Sequence, residues 1–169
     1  MEPVKGRAYK FGNDVNTDVI YPGKYLSITT DREEMAKHCF EAVYPEFLKS
    51  ARSGDIIIAG KNFGCGSSRE QAAACLKYFG IGAVVAESFA RIFYRNAINL
   101  GLPVLVAPHI TGLVEHGDVV EINVEQGSIT NVRTGKNIPS TKLPGFILEI
   151  ISDGGLIKHL RKRLGISTT

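Results

Sequence analysis

Gly60-Lys61-Asn62-Phe63-Gly64-Cys65-Gly66-Ser67-Ser68-Arg69-Glu70-Gln71 is the stretch around which this 169-residue chain is organised. Before it, Asp55-Ile56-Ile57-Ile58-Ala59 reads as a short buried strand. After it, Ala72 to Phe79 reads as a helix that stops at Gly80. The stretch is therefore a glycine-rich turn from strand to helix. Gly64 and Gly66 allow positive φ and close approach of another group to the backbone. Ser67 with Glu70 fits a capping box, which puts Ser67 at the N-cap and Arg69 in the first turn. The helix N-terminus favours an anion, and Arg69 adds a planar fork suited to a carboxylate. The spacing is not that of a P-loop, because no Gly-Lys-Ser/Thr follows four variable residues, and the third glycine of a dinucleotide fingerprint is missing.

Outward from the turn, Ala83-Val84-Val85-Ala86 completes a β-α-β unit, which predicts two parallel strands joined by a crossover. Ser88 is the expected cap of a second helix that runs to Leu100 and ends at Gly101, and Pro103 to Ala107 is a third strand. Beyond it, Asp118 to Val124 alternates with period two. Glu125-Gln126-Gly127 turns it, and Ser128 to Val132 returns as a hairpin. Thr134-Gly135-Lys136-Asn137 reads as another turn. Pro144 to Ile151 and Leu156 to Leu164 read as two short helices split by Asp153-Gly154-Gly155. Towards the N-terminus, Val4 to Phe11 is a strand, Asn13 to Asp18 is polar and turn-rich, and Asp31 caps a helix from Arg32 to Phe40 in which Met35, Cys39 and Phe40 pack. Tyr25 to Thr30 is a loop leading into that helix. The pattern predicts one α/β domain over residues 1–169, with a parallel β-α-β core and a β-rich second half.

Composition narrows the function. The formal net charge is +3, and part of the surplus lies in Lys158-His159-Leu160-Arg161-Lys162-Arg163. Basic residues late in a helix suit its dipole, so nucleic acid is not an expected partner. No apolar run has the length of a signal peptide or a membrane span. The three cysteines, Cys39, Cys65 and Cys75, form no C-x-x-C pair. No disulfide scaffold, zinc site or iron–sulfur cluster held by this chain alone is expected, and a reducing cytoplasm fits. His38, His109, His116 and His159 are scattered and read as surface or structural.

Gly-Lys-Asn-Phe-Gly-Cys-Gly-Ser-Ser-Arg-Glu resembles the signature of the small subunits of 3-isopropylmalate dehydratase and homoaconitase, and is similar to the C-terminal swivelling domain of aconitase. Lys10 to Ile20 resembles the N-terminal segment of that family, and Ala86 to Asn99 its second helix, with Gly101-Leu102-Pro103 following. The resemblance covers nearly the whole chain. It implies a swivelling β/β/α domain and half of a hydro-lyase site, in which water leaves a 2-hydroxy acid and returns at the neighbouring carbon. It assigns the base to Ser67, substrate binding to Ser68 and a carboxylate clamp to Arg69, and places Asp18 beside the serines, where it can orient a hydroxyl. It also implies a [4Fe-4S] cluster on a separate large subunit, with the active site formed at the interface and this chain binding no cofactor. A homo-oligomer of the isolated chain is open.

The substrates of such enzymes share a malate-like core and differ in one side arm. Small subunits of the homoaconitase kind read Tyr-Leu-Arg-Thr in the loop where this chain reads Tyr25-Leu26-Ser27-Ile28. Ser27 stands in place of the arginine, so a carboxylate arm would lose its cation and still be desolvated. An alkyl arm could pack on Leu26 or Ile28, which favours isopropylmalate, with dimethylmalate a competitor and Lys24 a possible cation for an acidic arm. The expected function is 2-isopropylmalate/3-isopropylmalate interconversion in leucine biosynthesis. From the residues alone, a carboxylate-binding regulatory module without chemistry is the alternative; a serine acyl transferase is weaker, because no G-x-S-x-G elbow is present.

Overall fold

A computed structural model describes residues 1–167. Its strands are β1 (Val4–Lys10), β2 (Ile56–Ala59), β3 (Ala83–Ala86), β4 (Val104–Val106), β5 (Val119–Asn123), β6 (Ser128–Asn131) and β7 (Lys136–Pro139). Its helices are α1 (Thr17–Ile20), α2 (Arg32–Ala36), α3 (Pro45–Ser50), α4 (Glu70–Phe79), α5 (Arg91–Asn99), α6 (Ile110–Leu113), α7 (Gly145–Ser152) and α8 (Leu156–Arg163). A short 3-10 turn covers Gly23–Tyr25.

The strands form one mixed sheet in the order β4-β3-β2-β1-β5-β6-β7. β1 to β4 are parallel neighbours, and β5, β6 and β7 are antiparallel. β1 joins the two halves: Ala8 to Lys10 pair with β2, whereas Val4 to Arg7 pair with β5. The parallel strands are buried on both faces and read as continuous apolar runs, which is why Ile56-Ile57-Ile58 shows no alternation. β5 is covered more fully on one face and alternates, with Val120 and Ile122 buried.

Two apolar cores result. Ile57, Ala59, Val84 and Ala86 face α2, α4 and α5 through Met35, Ala73, Leu76 and Phe93. Ile56, Ile58, Ala83 and Val85 face the antiparallel half, α6 and α7 through Ile110, Val120, Ile129 and Ile151.

Several expectations change at element ends. α4 begins at Glu70 with Arg69 as N-cap and no side-chain cap bond. Ser67 thus lies two residues before the N-cap and Glu70 is the first residue of the helix rather than the third, so the capping box does not form; the Ser67 carbonyl instead accepts from Arg69 N–H (2.9 Å) and from Thr17 Oγ1 (3.0 Å). Ser88 does not cap α5 either. Ala90 occupies that place, and Ser88 Oγ accepts from Asn62 N–H at 2.8 Å. Asp31 does cap its helix, through Glu34 N–H at 3.0 Å, but the helix ends at Ala36 and turns carry the chain to Phe40 at φ 55°. Met35, Cys39 and Phe40 are buried as expected. Lys136 and Asn137, read as a turn, belong to β7, paired to Asn131 and Thr130. Three short helices, α1, α3 and α6, have no periodic signal, since each has six residues or fewer.

Candidate functional site

The glycine-rich turn lies between two other backbone segments and is hydrogen-bonded to both. On one side, Asp14 N–H donates to Lys61 O (2.8 Å), Gly64 N–H to Val15 O (2.7 Å) and Thr17 N–H to Cys65 O (2.8 Å). Asn13 Oδ1 also accepts from Lys61 N–H at 2.8 Å. On the other side, Phe63 N–H donates to Ser88 O (3.1 Å) and Ala90 N–H to Phe63 O (2.9 Å). Below it, Phe63 meets Phe93 edge-on at 5.1 Å between ring centroids. Gly64 has φ 82°, and a Cβ there would stand 2.3 Å from Phe93 Cβ. Only glycine meets both conditions, so the position of the turn over Phe93 is set by that residue.

This ladder carries the polar segment 13–18 to the start of α4. α1 begins at Thr17, capped by Asn16 Oδ1, which accepts from Val19 N–H at 2.9 Å. Thr17 and Asp18 therefore stand together beside Ser67 and Arg69, fifty residues further along. Thr17 Oγ1 donates to the Ser67 carbonyl at 3.0 Å and lies 3.4 Å from Ser67 Oγ. Asp18 Oδ1 accepts from Arg69 Nη1 at 2.7 Å and from Gly23 N–H at 2.8 Å. Both bonds favour the carboxylate, and with Arg69 the larger cause they hold the Asp18 carboxyl below its usual range. Ser67 and Ser68 are exposed, whereas the Arg69 side chain is only 22% exposed.

Arg69 is thus pre-positioned. Asp18 takes one of its five N–H donors, and the rest stay available to a carboxylate. Gly23 closes over the pair: a Cβ there would be 3.1 Å from Asp18 Oδ1 and 3.3 Å from Arg69 Nη1. Asp18 orients the guanidinium, and the hydroxyl contact expected of it belongs to Thr17. Neither Thr17 nor Gly23 was legible as a site residue. The signal in hindsight was the polar run Asn13 to Asp18, in which Thr17 directly precedes the carboxylate, and the Pro22-Gly23 turn.

The loop Tyr25-Leu26-Ser27-Ile28 leaves the site just after Gly23. Tyr25 stacks on His38 at 3.6 Å between centroids and receives Lys24 Nζ over its ring at 5.0 Å. Ser27 and Ile28 are exposed, Ile28 at 70%. Cys65 is half-buried, and Cys39 and Cys75 are buried, all three as free thiols. Among the described residues no group of three or more His, Cys, Asp or Glu is placed to hold a metal ion. No helix among them is long and apolar enough to cross a membrane.

Comparison with known proteins gives a consistent result. Residues 13–109 match the model of the aconitase C-terminal domain. The 3-isopropylmalate dehydratase small subunit 1 of Methanopyrus kandleri is 50% identical, over 94% of this chain and 93% of its own. The isopropylmalate/citramalate isomerase small subunit of Methanocaldococcus jannaschii is 51% identical over 97% of both chains. A crystal structure described as 3-isopropylmalate dehydratase from the same organism superposes with a TM-score of 0.91, at 50% identity, over 96% of each chain.

Proposed function

Because the chain belongs to the aconitase C-terminal domain family, we propose that it is the small subunit of a 3-isopropylmalate dehydratase, a hydro-lyase of leucine biosynthesis. The observation that carries the site assignment is the meeting of Thr17 and Asp18 with Ser67 and Arg69 on an open face. In the reaction 2-isopropylmalate loses water to give 2-isopropylmaleate, and water returns at the neighbouring carbon to give 3-isopropylmalate. Elimination needs a base for a carbon-bound proton next to a carboxylate, and a cation for that carboxylate. Ser67 is the base, and Arg69, held by Asp18, clamps the carboxylate. Ser68 binds substrate beside them. A serine hydroxyl is far too weakly acidic to ionise free in water at neutral pH. The positive end of α4 and the Arg69 charge both favour its alkoxide.

The remaining requirement is a Lewis acid for the departing hydroxyl, which a [4Fe-4S] cluster on a large subunit supplies. The three thiols of this chain form no group of three or more with each other or with His, Asp or Glu among the described residues, so they do not fit cluster ligation. Ser67 and Ser68 lie exposed on one domain spanning the chain, so a second surface must close over substrate and exclude water. The large subunit is that surface. Free thiols and this metabolic role suit the cytoplasm.

Ser27 and Ile28 bring no cation to the side-arm end of the loop, which favours an alkyl arm over a carboxylate. The name of the M. jannaschii relative adds citramalate, with a methyl arm, to the competitors. One methylene is worth only about 1–3 kcal/mol in an apolar pocket, so several alkylmalates are turned over at graded rates.

The test is reconstitution with the large subunit. The isolated chain gives no turnover and the pair does. Ser67→Ala lowers kcat with KM nearly unchanged; lost binding with intact kcat would reduce the chain to a carboxylate-binding module. Comparison of kcat/KM on isopropylmalate, dimethylmalate, citramalate and homocitrate places the alkyl substrates first. Ser27→Arg shifts preference towards homocitrate. A wild-type preference for homocitrate would refute the loop argument.

A further inference from the structure

At the end of α4 opposite the serines is a second polar concavity, about 590 Å³ in volume, between α2, the C-terminal ends of α4 and α5, and the start of α8. Lys77 lies eight residues beyond Arg69, about 12 Å along the helix axis at ~1.5 Å per residue. Its lining includes Arg32, Lys77, Lys158 and Arg161, with Tyr78 and Asn99, and contains no acidic side chain. The four cations come from three separate helices. None of them forms a salt bridge among the described residues.

Cations at helix C-termini are usually explained by the helix dipole. Here that accounts for two of the four, Lys77 in the last turn of α4 and Arg161 in the last turn of α8, and Lys77 Nζ also donates to Gly101 O at 2.9 Å, just past α5. Arg32 instead lies over the Tyr78 ring at 5.1 Å. Lys158 and Arg161 donate no side-chain hydrogen bond to another described residue. Lys77 is pressed against like charge: burial, and then Lys158, pull its ammonium below the usual lysine range.

The groove is also built rather than incidental. The α7–α8 junction rests backbone to backbone on the end of α5. A Cβ on Gly155, at φ 119°, would be 2.7 Å from Asn99 O, and one on Gly101, at φ 75°, would be 2.7 Å from Gly154 C. Those glycines fix the distance at which Lys158 and Arg161 face Lys77.

We propose that the groove between α4, α5 and α8 is a binding site for a small polyanion with two or more negative charges, held by Arg32, Lys77, Lys158 and Arg161. Its volume is within the range of small-molecule sites. Phosphate esters and polycarboxylates share the required chemistry, and bidentate arginine contacts suit both. The site is independent of the serine turn and of the reaction assigned to it.

The test is isothermal titration of the full chain with pyrophosphate and with tricarballylate, at constant ionic strength. Saturable binding with Kd below about 1 mM is expected for at least one. The tighter of the two identifies a phosphate or a carboxylate ligand. Lys158 and Arg161 are exposed, so Lys158→Gln with Arg161→Gln leaves the fold intact by circular dichroism. That double variant weakens binding at least about tenfold, the loss of one charge-assisted bond or more. Arg69→Gln leaves it unchanged, which separates this groove from the substrate site. Absence of saturation with both anions, or equal affinity in the double variant, overturns the proposal. Loss of large-subunit assembly in the double variant without anion binding would also overturn it, and would assign the cations to a protein interface.

Discussion

Replacing Arg69 by lysine keeps the charge and removes the fork, which makes it the most direct probe of the site. In the structure one guanidinium nitrogen is committed to Asp18 at 2.7 Å, and Gly23 lies against both terminal nitrogens. Arginine can hold Asp18 with one N–H and still offer a parallel pair to a substrate carboxylate. Lysine has a single nitrogen, and if Asp18 holds it, no bidentate contact is left. A hydrogen bond to a charged group contributes about 1.5–3 kcal/mol. Losing one or two of them, partly offset by the retained charge, costs about 2–4 kcal/mol of transition-state stabilisation. That is about 30- to 900-fold in kcat/KM of the reconstituted enzyme. Stability of the isolated chain changes little, because the Asp18 side chain is 66% exposed and such pairs contribute about 0–1 kcal/mol. The assays are steady-state kinetics on isopropylmalate and thermal unfolding of the subunit alone. A kcat/KM within about twofold of wild type would remove Arg69 from the carboxylate site.

Three further outcomes are expected. Gly64→Ala destabilises the chain by about 2–5 kcal/mol, combining about 1–2 for a left-handed alanine with about 1–3 for overpacking against Phe93; an unchanged urea midpoint would contradict this. Asp118 is buried and accepts from Arg133 Nε (2.6 Å), Asn131 Nδ2 (2.8 Å) and Glu115 N–H (2.9 Å), with Arg133 the main cause holding its carboxyl far below the usual range. A depressed folded pKa contributes stability above the unfolded value of about 3.9 and loses it as pH falls towards the folded one. Asp118→Asn is therefore less stable than wild type at pH 7, and the gap narrows below about pH 4; a gap constant from pH 7 to pH 2 in urea titrations would count against the ion pair. Iodoacetamide modifies the half-buried Cys65 before Cys39 and Cys75, which are buried, the Cys75 thiol being pushed up by that burial. Alkylation inactivates the assembled enzyme and substrate protects it, whereas full activity after confirmed modification at Cys65 would place this thiol outside the site.

Much of the parallel half was legible because its signals are local. Ile56-Ile57-Ile58 is a short β-branched run bounded by turn residues and reads as a buried strand, Gly80 and Gly101 end helices with positive φ, and Gly64 and Gly66 mark a turn that needs it. The hairpin at Gly127 follows from period-two alternation on both sides of a turn. What failed was equally local in origin. Ser67-x-x-Glu70 and Ser88 have the side chains of N-caps, but a cap is decided by where the folded backbone begins the helix and which donors reach the oxygen. Arg69 rather than Ser67 holds the N-cap place of α4, and Asn62 N–H takes the Ser88 hydroxyl while Ala90 holds that place in α5. β7 carries one buried residue, Ile138, so its pattern was too weak to read apart from its partner strand.

The site divides in the same way. Ser67, Ser68 and Arg69 are adjacent in sequence and were identifiable together, along with the chemistry of a hydroxyl beside a carboxylate-binding fork. That Asp18 grips Arg69, that Thr17 contacts Ser67 and that Gly23 covers the ion pair depend on residues some fifty positions away, brought in by the backbone ladder between segment 13–17 and the turn. Nor could the sequence gather Arg32, Lys77, Lys158 and Arg161 into one groove. Residue types and near-neighbour spacing determine propensity and chemistry along the chain. Which side chains share a bond is set by backbone pairing and by close glycine contacts between distant segments, and that exists only once the chain has folded.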